Sequence, residues 1–269
     1  MIANSPVAAL FGRAKEEGRP ALIAYIVAGD PDLATTERVI WALGEAGVDL
    51  IELGIPYGDP LADGPTIAAA AFRALSAGVR ITDVFALAER VRRRGGPPLL
   101  FFTYANPVDR YGSARFAEAT AACGAVGAIV PDIPLEESLA LRDELTARGL
   151  VLPLLIAPTT PLERAERIVA ASTGFVYVVS RLGVTGAGRR PDLSATAGRV
   201  AELRAFGTLP FAVGFGISTP LDVRTVAAYA DGAIVGSALI DVYTGLQGEA
   251  AAAAAGAYAR SLAAALRTP

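Results

Sequence analysis

The chain has 269 residues, a formal charge of −3, one cysteine and no histidine, and of its 24 basic residues all but Lys15 are arginine. These counts exclude a Ser-His-Asp or Cys-His relay, a His-ligated metal, an internal disulfide and a CxxC redox pair, and they leave Schiff-base chemistry one remote lysine. The charge balance carries no footprint for nucleic acid, so any acid–base work falls to Asp, Glu and Tyr.

A helical pattern at residues 3–17 opens the chain. Eight short apolar or β-branched runs then recur, at residues 21–28, 48–53, 99–104, 127–130, 151–156, 175–180, 211–214 and 233–235. Helical patterns with Arg- and Glu-bearing faces separate them, at residues 33–46, 82–94, 113–123, 135–148, 161–171, 194–205 and 220–229. Pro31-Asp32 opens the first of these, Gly47 closes it, and Gly149 ends another. Nearly continuous apolar strands alternating with helices predict a parallel sheet covered on both faces. Eight such units at this length predict an α/β fold, a single (β/α)8 TIM barrel spanning residues 1–269, with an open doubly wound sheet as the alternative.

The first helix is then an extra element fitted to plug the lower end of the barrel. A long loop at residues 56–65 and a second extra helix near residues 67–77 are insertions after strand two. The connection at residues 181–191 is long and rich in Gly and Arg. Long loops in a compact domain carry function or disorder, and both of these fall on the face where barrel enzymes place their sites. The run Arg90, Arg92, Arg93, Arg94 reads as a cationic helix C-terminus favoured by the helix dipole. Residues 250–255, all alanine, read as a closely packing helix. No apolar run approaches about 18 residues and no charged-then-apolar leader pattern is present, so the expected location is the cytoplasm, away from membranes.

Strand two contains the most informative residue. Alternation along Leu50-Ile51-Glu52-Leu53-Gly54 puts Glu52 on one face with Leu50 and Gly54, amid apolar neighbours near the strand's upper end. Burial favours the neutral form of such a carboxyl, which suits it to donate and retake a proton near neutral pH. A structural Glu held by Arg or backbone N–H groups is the competing reading. The loop beyond it carries Asp59 and Asp63 above the barrel mouth, where Asp-Pro and Asp-Gly are also ordinary turn chemistry. Asp30 and Asp132 stand at other strand ends. Metal ligation, capping and loop bracing are open to both, with helix capping expected for Asp30. Cys123, late in a helix, is expected to pack rather than react.

Glycines gather where the last three strands end: Gly183 to Gly188, Gly214-Phe215-Gly216 and Gly236-Ser237. They let backbone N–H groups approach an anion, and the loops after strands seven and eight are where many barrels bind phosphate.

Glu52-Leu53-Gly54-Ile55-Pro56, followed by Asp59-Pro60-Leu61-Ala62-Asp63-Gly64-Pro65, resembles the signature of the tryptophan synthase alpha chain family. The likeness continues through Ala28-Gly29-Asp30-Pro31, Tyr104-Ala105-Asn106-Pro107, Pro131-Asp132-Ile133-Pro134, Ser180-Arg181-Leu182-Gly183-Val184-Thr185-Gly186, Gly214-Phe215-Gly216-Ile217-Ser218 and Gly236-Ser237. It covers nearly the whole chain.

The resemblance implies retro-aldol cleavage of indole-3-glycerol phosphate to indole and glyceraldehyde 3-phosphate, a step of L-tryptophan biosynthesis. It implies that Glu52 is the acid–base catalyst and that Asp63 stabilises the indole N–H. Tyr177 matches a tyrosine near the reacting atoms, and Thr185 and Gly186 match a lid loop. Gly186, Gly216, Gly236 and Ser237 match backbone phosphate donors. Tyr25, Phe102, Ile129 and Phe215 fall where the family lines its indole pocket. The implied partner is a tryptophan synthase beta chain in an alpha2beta2 heterotetramer, faced by Asp59, Asn106 and Pro107. No cofactor is expected in this chain; pyridoxal phosphate would belong to the beta subunit. Gly58, Val27 and Ala68 depart from the family's usual Ser, Thr and Gln. The catalytic residues do not separate this reading from a free-standing indole-3-glycerol phosphate lyase, and a non-catalytic phosphate-binding subunit that activates a partner is a third reading.

Overall fold

The strands are apolar on both faces, and that forces them into the middle of the molecule. The computed structural model describes residues 5–181 and 192–267. Its first half runs α1 (Pro6–Glu16), β1 (Ala21–Val27), α2 (Leu33–Glu45), β2 (Leu50–Gly54), α3 (Pro65–Ser76), α4 (Ile81–Arg93), β3 (Leu99–Phe102), α5 (Ala105–Tyr111), α6 (Ser113–Cys123) and β4 (Ala128–Ile129). The second half runs α7 (Leu135–Thr146), β5 (Leu155–Ile156), α8 (Leu162–Ala171), β6 (Val176–Val179), α9 (Leu193–Leu203), β7 (Phe211–Gly214), α10 (Pro220–Ala227), β8 (Gly232–Val235), α11 (Ser237–Tyr243) and α12 (Gly248–Arg267).

All strand pairs are parallel, in the order β4-β3-β2-β1-β8-β7-β6-β5. A parallel bridge between Gly127 and Val151 joins the two ends. There Ala128 N–H donates to Val151 O at 3.0 Å and Val151 N–H to Val126 O at 3.0 Å. The result is the expected closed (β/α)8 barrel. β5 is shorter than the apolar run at 151–156 because Pro153 has no N–H to give. The amides on either side of it donate to side chains instead, Leu152 to Thr173 Oγ1 at 2.7 Å and Leu154 to Ser172 Oγ at 3.2 Å.

The first helix plugs the lower end as its pattern predicts. Val7, Leu10, Phe11 and Ala14 are buried, and the Phe11 ring lies 5.6 Å from that of Phe175. Two short helices, α5 and α11, were not legible, each being seven residues with weak periodicity. The arginine run at the end of α4 does more than meet a dipole. Arg90 and Arg94 both pair with Glu37 of α2, at 3.0 and 2.9 Å, and Arg94 lies over the Trp41 ring. The alanine-rich α12 packs on α2, where a Cβ at Gly256 would come 3.3 Å from Ala42 Cβ. No helix among the described residues is long and apolar enough to cross a membrane.

The expectation that Asp30 caps a helix is overturned. Asp32 caps α2, accepting from Thr35 N–H at 2.7 Å. Asp30 is instead fully buried and takes a two-pronged ion pair from Arg73 of α3, at 2.7 and 2.9 Å, which ties the inserted helix to the end of β1. A buried carboxylate needs such a partner more than a helix needs a second cap.

Gly127 holds the closing bridge with φ at +154°, and a Cβ there would meet Val151 O at 2.0 Å. Gly127→Ala is therefore expected to cost about 2–4 kcal/mol of stability, read from the denaturant midpoint.

Candidate active site

The upper ends of the strands converge on a hollow with about 430 Å³ of empty space. Its wall includes Tyr25 from β1, Glu52 from β2, Phe102 from β3, Tyr177 from β6 and Ile234 from β8. Parallel register sets Tyr25 beside Glu52, and Phe102 beside Gly54. Tyr25 and Phe102 meet edge to face at 5.2 Å. Glycine at the ends of β2 and β7 makes room for two phenol groups. A Cβ on Gly54 would lie 2.5 Å from Tyr25 Oη, and one on Gly214 would lie 2.3 Å from Tyr177 Oη.

Glu52 is 1% exposed, and among the described residues its Oε1 has no hydrogen-bond partner. Burial alone pushes its carboxyl up to about 8, so it is protonated at neutral pH. The structural reading, a Glu held by an Arg or by backbone N–H groups, finds no support: among the described residues no ion pair reaches Glu52, and burial is the one cause of its shift. Asp63 reaches the same hollow from the loop after β2. Burial pushes it up to about 6, opposed by a hydrogen bond that the Tyr104 hydroxyl donates to it. Tyr25 and Tyr177 are held well above the ordinary phenol value, first by burial and then by the charges of Asp63 and Glu52. One cavity thus holds two carboxyl groups of different ionisation and two phenols that stay neutral.

The opposite rim is backbone. Phe215 adopts φ of +71° and Gly216 of +85°, an unusual pair in which a bulky residue takes a left-handed conformation. Ser180 Oγ holds that turn, donating to Gly214 O at 2.8 Å and within reach of Phe215 O. The Phe215 ring meets Tyr177 edge to face at 5.9 Å. Gly216, Gly236 and Ser237 line the cavity here, with Ser237 opening α11.

The structure therefore brings together Glu52, Asp63, Tyr25, Phe102, Tyr177, Phe215, Gly216, Gly236 and Ser237. Ile129 is fully buried beside Phe102 in register and is not part of the cavity lining. Thr185 and Gly186 lie outside the described residues. Asp59 and Asn106 are exposed on the outer face. There Asn106 and Pro107 line a shallow groove with Tyr57 and Arg110. Asp132 braces two loops, accepting from Ala105 N–H at 2.9 Å. Cys123 packs, buried, with burial raising its thiol. Residue-by-residue reading missed Ile67, Ile217 and Ile234 as lining, and Tyr104 as the partner of Asp63. The isoleucines carried no signal beyond apolarity.

A larger cleft, with about 1510 Å³ of empty space, opens at the other end of the barrel beside α1. Two arginines of its rim are committed to ion pairs, Arg19 with Asp49 at 2.7 Å and Arg204 with Asp231 at 3.1 Å. Among the described residues no three or more His, Cys, Asp or Glu converge on a metal position.

The model of the tryptophan synthase alpha chain family matches residues 11–266. The chain belongs to this family. It is similar to the tryptophan synthase alpha chain of Picosynechococcus, 48% identical over 246 residues, which are 90% of this chain and 92% of that one. It is also similar to that of Chloroflexus aurantiacus, 46% identical over 98% of this chain and the whole of that one. Among solved structures, a Mycobacterium tuberculosis tryptophan synthase chain superposes with a TM-score of 0.91 at 37% identity, covering 98% of this chain and 99% of that one. Membership carries the family's lyase activity, cleavage of indole-3-glycerol phosphate in tryptophan biosynthesis.

The raised Glu52 value has a stability cost with a definite sign. Stability from this site is fully present below the unfolded value, near 4.5, and is lost as pH rises through about 8. Glu52→Gln removes the titration. Its stability relative to the parent is expected to improve by on the order of a few kcal/mol between pH 5 and pH 9, read by denaturant unfolding at both.

Proposed function

We propose that Glu52 and Asp63 divide the acid–base and electrostatic work of indole-3-glycerol phosphate cleavage. The observation that carries this reading is their convergence on one apolar cavity with opposite ionisation at neutral pH. Protonated Glu52 delivers a proton to indole C3, which makes the ring an electron sink. As the bond from C3 to the glycerol carbon breaks, the neighbouring hydroxyl loses its proton and its carbon becomes the aldehyde. The bonding pair flows into the ring and restores indole, and Glu52 is the group that retakes the proton. One proton enters and one leaves, so the step balances without metal or redox partner.

Positive charge develops at N1 when C3 is protonated. Ionised Asp63 accepts the N1–H hydrogen bond there, an interaction strongest in the transition state. Tyr25, Phe102 and Phe215 supply apolar and aromatic walls for the indole. Gly216, Gly236 and Ser237 offer N–H groups to the phosphate. The cytoplasm is the setting for this reaction.

The outer face fits a beta chain in an alpha2beta2 assembly. Asp59 and Asn106 stand exposed on it and Pro107 lines its groove, while pyridoxal phosphate belongs to that partner. Mixing the two purified chains is expected to give a heterotetramer by sedimentation and faster indole release. Strong release from this chain alone, unchanged by the beta chain, would favour the free-standing lyase.

Glu52→Gln is expected to reduce indole release at least about a hundredfold, and Asp63→Asn by a similar factor, with circular dichroism unchanged. The pH profile of kcat/KM is expected to be a bell with its plateau between about 6 and about 8, rising as Asp63 ionises and falling as Glu52 does. Indole release by Glu52→Gln near the parent rate would sink this assignment.

A further inference from the structure

We propose that Tyr104 is a positioning residue for Asp63: its hydroxyl, set between the Ala62 amide and the Asp63 carboxylate, fixes the direction in which that carboxylate faces the cavity. The inference rests on the role given to Asp63 above.

Among the described residues, little else orients Asp63. Residues 55–64 belong to no helix or strand, and Leu61 at the loop's tip is 70% exposed. The backbone of Asp63 makes one turn bond, its N–H donating to Pro60 O at 3.2 Å. Tyr104, by contrast, is buried and pinned from several sides. It stands directly before α5, and the next amide, that of Ala105, donates to Asp132. Its ring lies 5.4 Å from that of Tyr57, whose own hydroxyl accepts a hydrogen bond from Asn106 Nδ2 at 3.0 Å.

The Tyr104 hydroxyl then does two things at once. Its oxygen accepts from Ala62 N–H at 3.3 Å, and its proton goes to Asp63. An ionised carboxylate has lone pairs to spare, so this bond leaves room for a second donor from a ligand. With Tyr57 at one end of the loop and Ala62 and Asp63 at the other, a single tyrosine spans the loop from inside.

The bond also favours the charged form of Asp63, which the chemistry needs. The titratable groups facing Asp63 are Tyr104 beyond β3, Tyr25 on β1, Tyr177 on β6 and Glu52 on β2. The phenols on β1 and β6 stay neutral across the working range, and Tyr104 is the one that donates to Asp63.

The test uses Tyr104→Phe, which keeps the ring and its packing. Two readouts are taken: kcat/KM for indole release across pH, and a carbon NMR titration of the Asp63 carboxyl in ¹³C-aspartate-labelled protein, assigned with Asp63→Asn. The variant is expected to lose about tenfold in kcat/KM at neutral pH, mostly in kcat, the scale of one hydrogen bond to a charged group. Its Asp63 midpoint and the acid limb of its profile are expected to move up together by about half a pH unit or more. A residue that merely packs would move neither. An unmoved midpoint, or a kcat/KM equal to the parent's across pH, overturns the proposal. If Asp63→Asn itself releases indole at the parent rate, the fault lies with the assigned role of Asp63, and a shifted midpoint in Tyr104→Phe still locates the tether.

Discussion

A carboxyl group with an unpartnered oxygen in the wall of a closed barrel is an expensive thing to build, and Glu52 is one. Charging it there would forfeit hydration with nothing to replace it, so the barrel keeps it neutral. The surrounding structure enforces that condition. Parallel strands on both sides remove water from the wall, aromatic rings cover the top, and the acids nearby are either tied off or set apart. Asp30, just beyond the end of the adjoining strand, is committed to Arg73, while Asp63 approaches from a loop with its own hydroxyl partner.

The strain elsewhere in the site has the same logic. Phe215 takes a backbone conformation that bulky residues avoid, and Ser180 secures it from the neighbouring strand end. The turn places an aromatic ring over Tyr177 and leaves Gly216 at the cavity edge. Local strain of about 1–3 kcal/mol is affordable in a barrel whose core is contiguous from end to end.

Much of this was legible beforehand, for identifiable reasons. Strand β7 and helix α6 match their sequence patterns residue for residue, because apolar runs bounded by glycine and helices with one buried stripe leave little choice. Glu52 was legible because a charged residue in an apolar strand is itself the anomaly. What failed was local chemistry with two plausible partners. Asp30 and Asp32 sit two positions apart, and only the fold reveals that an arginine from the inserted helix claims the first. Tyr104 looked like part of an outer loop motif. Its hydroxyl meets Asp63 through a contact that joins two different βα loops, and no periodicity encodes that.

The barrel also has a seam. Seven neighbouring strand pairs carry ladders, whereas β4 and β5, two residues each, meet through the bridge at Gly127 and Val151. The cavity wall draws on β1, β2, β3, β6 and β8 and takes nothing from β4 or β5. Thermal breathing of a closed cylinder starts where fewest bonds must part. Here that place lies away from the reacting groups, so the cylinder can loosen along one side while the walls that hold Glu52 keep their registration.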